Sequence, residues 1–177
     1  MNDAHMPVLI GCGQVTDKRP PEEASTPIEL MAEVARKAAA DAGPGQALLD
    51  DIDTIIALGL TVDTPEADSG AGGMVRNVPY AVCNALNIDP AEQWYTHSGG
   101  NTPQMLVNQY AEKIAQGDAS AVLMVGAEAL NTMFARLKKG LDLNAWMDDS
   151  GSEPRMLGDL RPAASAHEMV YSIQTPA

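Results

Sequence analysis

Glu92-Gln93-Trp94-Tyr95-Thr96-His97-Ser98-Gly99-Gly100-Asn101-Thr102-Pro103 places a strand, a tight turn and a helix start within twelve residues. Glu92 to Thr96, with Trp94, Tyr95 and Thr96 in succession, reads as a strand. Gly99 and Gly100 permit a sharp turn, and Pro103 suits the first turn of a helix, where its missing N–H costs nothing. The helix expected over Pro103 to Gln116 places Leu106, Val107, Tyr110, Ala111 and Ile114 on one face. Gly117-Asp118 then turns the chain into a further apolar strand, Ala121 to Val125.

The same alternation extends upstream. Pro7-Val8-Leu9-Ile10-Gly11 reads as a buried first strand, and a polar, proline-containing loop follows from Thr16 to Ser25. Thr26-Pro27-Ile28-Glu29 is a capping box with proline at the first helical position. Ile28, Met31, Val34, Ala35 and Ala38 are expected to form that helix's apolar face, and Gly43-Pro44 to end it. Ile52 to Leu60 is the second expected strand, Thr61 to Gly73 a loop, and Met74 to Leu86 a helix that Pro79 would kink. Four strands alternating with three helices imply an α/β fold with a mostly parallel sheet covered on both faces. Beyond Glu128 a helical piece, Ala129 to Lys139, leads into an irregular stretch containing Trp146, Pro154 and Pro162.

Composition narrows the function. The 177 residues hold 24 acidic against 11 basic side chains, a formal charge of −13, which disfavours a phosphate backbone as partner. Aromatic residues are scarce at 4%, so aliphatic side chains and methionine must fill the core. Arg136, Lys138, Lys139, Arg155 and Arg161 crowd the last quarter; they form either a phosphate-binding patch or a solvated polar loop. Two scattered cysteines, Cys12 and Cys83, suggest neither a disulfide framework nor a zinc site. The sequence carries no bilayer-length apolar run, and Met1-Asn2-Asp3-Ala4-His5 lacks a basic signal-peptide start, so the expected location is cytoplasmic, without membrane insertion.

Gly11-Cys12-Gly13 lacks the third glycine of a dinucleotide fingerprint, since Thr16 stands in its place, and no helix opens there. The turn from Thr96 to Pro103 is the stronger candidate. A thiolate placed at such a helix start would be stabilised by the backbone N–H groups, although a purely structural connection explains the turn equally well. His97 and Ser98 are neighbours whose side chains point to opposite faces on extended backbone, so adjacency does not make them a catalytic pair. His5 and His167 have no metal-ligand spacing with any partner, and no metal is expected.

The opening Val8-Leu9-Ile10-Gly11-Cys12-Gly13-Gln14-Val15-Thr16, and above all Gln116-Gly117-Asp118-Ala119-Ser120-Ala121-Val122-Leu123-Met124-Val125-Gly126-Ala127-Glu128, resemble the thiolase superfamily. The branch is that of the sterol-carrier-protein thiolases. The resemblance covers about residues 7 to 134. It implies residues 1–128 as a thiolase-like N-terminal α/β half and residues 129–177 as the incomplete beginning of a loop domain.

In active members a cysteine at the start of the third helix accepts the acyl group. An ungapped alignment puts Gly100 at that position, and a slip of two residues puts Ser98 there, with no general base visible for it. The family's second half, which supplies a histidine and another cysteine, lies beyond this sequence. The resemblance therefore implies an acetyl-CoA acetyltransferase label and a coenzyme A thioester as substrate, with no covalently bound cofactor. It also implies that the chain alone is inactive in Claisen condensation or thiolysis. Arg136, Lys138 and Lys139 are the candidates for the nucleotide phosphates. Two alternatives remain: a subunit of a thiolase-like retro-aldol lyase working with an OB-fold partner, or a non-catalytic structural subunit. A homodimer through Glu92 to Thr96 or a complementing chain would cover the sheet edge.

Overall fold

A computed structural model describes residues 5–61, 74–158 and 170–171. The expected loop beyond Thr61, and Pro162, Arg161 and His167, fall outside those residues. Helix α1 (Pro27–Asp41) begins as its sequence requires: the Thr26 side chain accepts from the Glu29 N–H at 3.2 Å, and the Glu29 carboxylate accepts from the Thr26 N–H at 2.8 Å. A short α2 (Gln46–Asp50), absent from the sequence reading, leads to β1 (Thr54–Ala57). Then come α3 (Val78–Leu86), β2 (Glu92–Thr96), α4 (Thr102–Gln116), β3 (Val122–Val125) and α5 (Leu130–Lys138). A 3-10 turn at Asn144–Trp146 precedes β4 (Arg155–Leu157).

The sheet is parallel in every pairing, in the order β3-β1-β2-β4. β1 is buried along its whole length, as an apolar run between two helical layers should be. Ile55, Ala57, Tyr95, Leu123 and Val125 join α1 and α3 in one core, and Ile56 meets Leu106 and Tyr110 of α4 on the opposite face. The chain leaves β1 for β2 across one face and leaves β2 for β3 across the other. The connections therefore diverge at the carboxyl end of β1, where α/β sheets open a crevice.

Several expectations are corrected. Pro7 to Gly11 forms no strand, and Val8, Leu9 and Ile10 are 66%, 90% and 56% exposed. The segment instead lies on α1, where Cβ atoms at Gly11 and Gly13 would fall 2.2 Å from Ala38 O and 2.4 Å from Val34 O. The buried stripe of α1 is Leu30, Met31, Ala32, Ala35 and Ala39; Val34 and Ala38, on the neighbouring side, are half-buried. Pro79 does not kink α3. It lies in the helix's first turn, behind an N-cap in which Asn77 Oδ1 accepts from the Tyr80 N–H at 3.1 Å. Val107 of α4 is exposed rather than buried.

The stretch read as irregular supplies β4, whose pairing covers the outer edge of β2, the edge expected to be open for dimerisation. Arg155 stacks on the Trp94 ring at 3.9 Å, and Glu92 accepts from Trp94 Nε1 at 2.9 Å.

Candidate functional site

The carboxyl ends of β1, β2 and β3 border two adjoining hollows that share Gly59, His97 and Ser98. The first, about 330 Å³, is walled by Leu60, Val75 and Arg76 on one side and by Glu153, Pro154 and Met156 on the other. The second, about 480 Å³, lies over the start of α4, between Gly99-Gly100 and Gly126-Ala127-Glu128.

Close backbone approach sets this geometry. A Cβ on Gly59 would sit 2.3 Å from Thr96 O, so only glycine lets the exit of β1 pass this near to that of β2. The buried Thr96 hydroxyl joins the two exits, accepting from the Gly59 N–H at 3.1 Å and donating to His97 O at 3.0 Å. The Leu60 N–H donates to the Tyr95 hydroxyl at 3.0 Å. The floor of the site is thus rigid, whereas the turn above it is open. No heavy atom lies within 4 Å of the place a Gly100 Cβ would take. Asn101, the N-cap of α4, makes no side-chain cap; the Thr102 N–H donates to Gly99 O at 3.1 Å, and the helix start has no capping side chain.

His97 and Ser98 line both hollows. Both follow directly on the end of β2 at Thr96. Glu128 enters the second hollow, but its carboxylate caps α5, accepting from the N–H groups of Ala129 and Leu130 at 2.8 and 3.1 Å, and it also accepts the Thr61 hydroxyl. Sequence reading assigned no site role to Arg76, Glu153 or Met156. Arg76 forms a 3.6 Å ion pair with Asp149, at the mouth of the first hollow. The Gly-x-Glu after β3 was the available signal for Glu128; none existed for residues contributed by the unforeseen β4.

The basic residues lie elsewhere. They occupy the far end of α5, roughly 13 Å along a nine-residue helix from its start beside Glu128. Arg136 donates to Asp142 O at 2.9 and 3.1 Å and to Pro21 O at 2.7 Å, and Lys139 pairs with Glu22 at 2.7 Å. Those two side chains tie the loop before α1 to α5. Lys138 is exposed, and none of the three borders either hollow.

Cys12 and Cys83 also lie away from the turn. Cys12 is exposed, and Cys83 is buried in the α1–α3 core, where burial, reinforced by Asp89, pushes its thiol up to about 12. No cluster of His, Cys, Asp and Glu fit for a metal occurs among the described residues. No helix among them is long and apolar enough to cross a membrane.

The parallel four-stranded sheet with helices on both faces is an α/β fold, and its likeness to a solved structure makes it a thiolase-like one. Among solved structures the chain is similar to a monomeric SCP2-thiolase-like protein type 1 from Mycobacterium smegmatis, with 28% sequence identity and a TM-score of 0.57. The match covers 71% of this chain and 24% of that one, so the chain spans about a quarter of that protein's length. No protein-family profile matches the chain, and no curated protein matches it.

Proposed function

We infer that this chain binds an acyl-CoA thioester at the carboxyl end of its sheet and does not perform the acyl-enzyme step of a thiolase on its own. The carrying observation is the turn at Gly100, which borders an open hollow at a helix start without a side-chain cap and has no side chain where the resemblance expects the acyl-accepting cysteine. An uncapped helix start favours a carbonyl oxygen or another partial negative charge. The acyl group takes the first hollow, against Leu60, Val75 and Met156, and the thioester takes the second.

Arg136, Lys138 and Lys139 remain the proposed phosphate contacts, requiring the nucleotide to extend along α5. The role is lipid metabolism in the cytoplasm, and the label closest to it is acetyl-CoA acetyltransferase. Titration calorimetry with acetyl-CoA tests the reading. Saturable binding that weakens on charge reversal at the three basic residues is expected. Absence of binding would overturn the assignment, and binding indifferent to charge reversal would remove the phosphate contacts.

Gly100 also favours a second reading. Retro-aldol cleavage of a β-hydroxyacyl-CoA needs a base for the hydroxyl proton and stabilisation of the enolate, but no acyl-enzyme nucleophile. The chain would then be one subunit of a lyase, assisted by an OB-fold partner. Cleavage by the assembled complex without thiolysis would select this reading.

A further inference from the structure

The first hollow holds two opposite charges that do not meet. Arg76 lines one wall and Glu153 the other, and no ion pair joins them. Arg76 reaches Asp149 at 3.6 Å, and that carboxylate is 98% exposed. So wet a pair contributes little and leaves most of the guanidinium's N–H donors unspent. Among the described residues the exposed Glu153 carboxylate accepts no hydrogen bond. The walls between the two are apolar: Leu60 and Val75 beside the arginine, Pro154 and Met156 beside the glutamate.

The chain fixes the two walls relative to each other. The Asp148 N–H donates to Met74 O at 2.8 Å, the Arg76 N–H donates to Asp148 O at 2.8 Å, and Asn77 Nδ2 donates to Ser152 O at 2.8 Å. Gly151, at φ 81°, lies against the Tyr80 ring, where a Cβ would come within 2.9 Å of it. Arg76 and Glu153, each next in sequence to one end of the Asn77–Ser152 hydrogen bond, are thus held on either side of the hollow. A donor set and an acceptor set kept apart over apolar walls favour a ligand whose far end both accepts and donates. A methyl end would displace water from both groups and return nothing.

Charge narrows the choice of that end. A carboxylate would gain Arg76 but face Glu153 and Asp149, and an ammonium would gain the acids but face Arg76. A neutral hydroxyl accepts from the guanidinium and donates to the carboxylate, with no like-charge contact. We propose that the substrate's acyl chain ends in a hydroxyl that bridges Arg76 and Glu153, which makes the substrate class a short ω-hydroxyacyl thioester. This rests on the acyl-CoA reading and adds the identity of the acyl group to it. At about 30 Å³ for a water-sized group, the hollow's volume of about 330 Å³ holds roughly ten non-hydrogen atoms, enough for a hexanoyl chain and its hydroxyl. The methylenes lie against Leu60, Val75 and Met156, and the thioester stays at the turn before α4.

Calorimetry with ω-hydroxyhexanoyl-CoA and hexanoyl-CoA tests this on the full chain, and the readout is the ratio of the two affinities within each protein. The native protein is expected to hold the hydroxylated thioester about tenfold more tightly, the scale of one charge-assisted hydrogen bond at a partly exposed mouth. Arg76→Leu and Glu153→Leu should each bring the ratio to about one, and Arg76→Lys, which keeps a donor, should retain part of the preference. Circular dichroism verifies that each variant is folded. A ratio near one in the native protein, a ratio unchanged in both leucine variants, or tighter binding of adipyl-CoA or ω-aminohexanoyl-CoA would each overturn the proposal and leave the acyl-CoA reading standing. Absence of binding by every thioester, acetyl-CoA included, would overturn that reading and the proposal with it.

Discussion

Substituting Gly100→Cys restores a thiol where the family resemblance expects one, and its consequences follow from the geometry of the turn. The added side chain meets no heavy atom within 4 Å at its Cβ, and Gly100 is absent from the residues with positive φ. An L-residue therefore enters without strain. Removing glycine's freedom from the unfolded chain stabilises by about 0.4–1 kcal/mol where the conformation is compatible. For a chain of this size that is a rise of roughly 1–4 °C in melting temperature. Gly59→Ala is the contrasting variant: its Cβ would collide with Thr96 O at 2.3 Å and Ser98 N at 2.6 Å. Backbone cannot give way as a side-chain tip can, so a loss of about 1–3 kcal/mol is expected.

The same thiol reports on the helix start. Negative charge near a helix N-terminus gains about 0.3–1 kcal/mol. At 1.36 kcal/mol per pKa unit, a thiol of ordinary pKa near 8.5 should titrate at about 7.8–8.3. The assay is the pH dependence of iodoacetamide alkylation in a Cys12→Ser background, with Cys83 silent in the core. A midpoint at or above the ordinary value would refute the claim that α4 favours negative charge there. A melting temperature several degrees lower would refute the claim of open space. Thiolysis of acetoacetyl-CoA is expected to stay absent even in this variant, because the resemblance assigns the proton-handling histidine and second cysteine to the family's second half.

Native protein should take up one alkyl group, at exposed Cys12, and denatured protein two, because burial holds the Cys83 thiol near 12; mass spectrometry counts the adducts. Thr26→Ala removes half of the capping box and should cost about 1 kcal/mol, read by urea denaturation. Hydrogen bonds from the Arg19 guanidinium, and from the Ser25 and Arg19 N–H groups, hold the Asp17 carboxyl well below the usual carboxylate range. A depressed folded-state pKa stabilises fully above the unfolded value, near pH 3.9, and that stabilisation drains away as pH falls toward the folded value. Asp17→Asn should therefore differ from the parent at neutral pH and converge with it in strong acid; a constant difference down to pH 2 would refute the linkage. Arg155→Ala removes the stack on Trp94 and should shift tryptophan emission to the red, as β4 loosens from β2.

These tests fall on both sides of a division between what the sequence disclosed and what it withheld. The bounds of β2, the capping box of α1 and the turn before α4 were legible because each depends on neighbouring residues: an aromatic pair followed by threonine, a hydroxyl three positions before a carboxylate, a glycine pair before a proline. Gly100 as an open position was legible only through resemblance, and the structure adds that nothing crowds it. The two strand misassignments have one physical origin. Val8-Leu9-Ile10 has a strand's composition, but the segment lies on α1, and among the described residues no strand pairs with it. Arg155-Met156-Leu157 has a loop's composition, but β2 offers it an edge and Trp94 offers it a ring. Strand formation in these segments is decided by the adjacent edge, an environment that a window along the sequence does not contain.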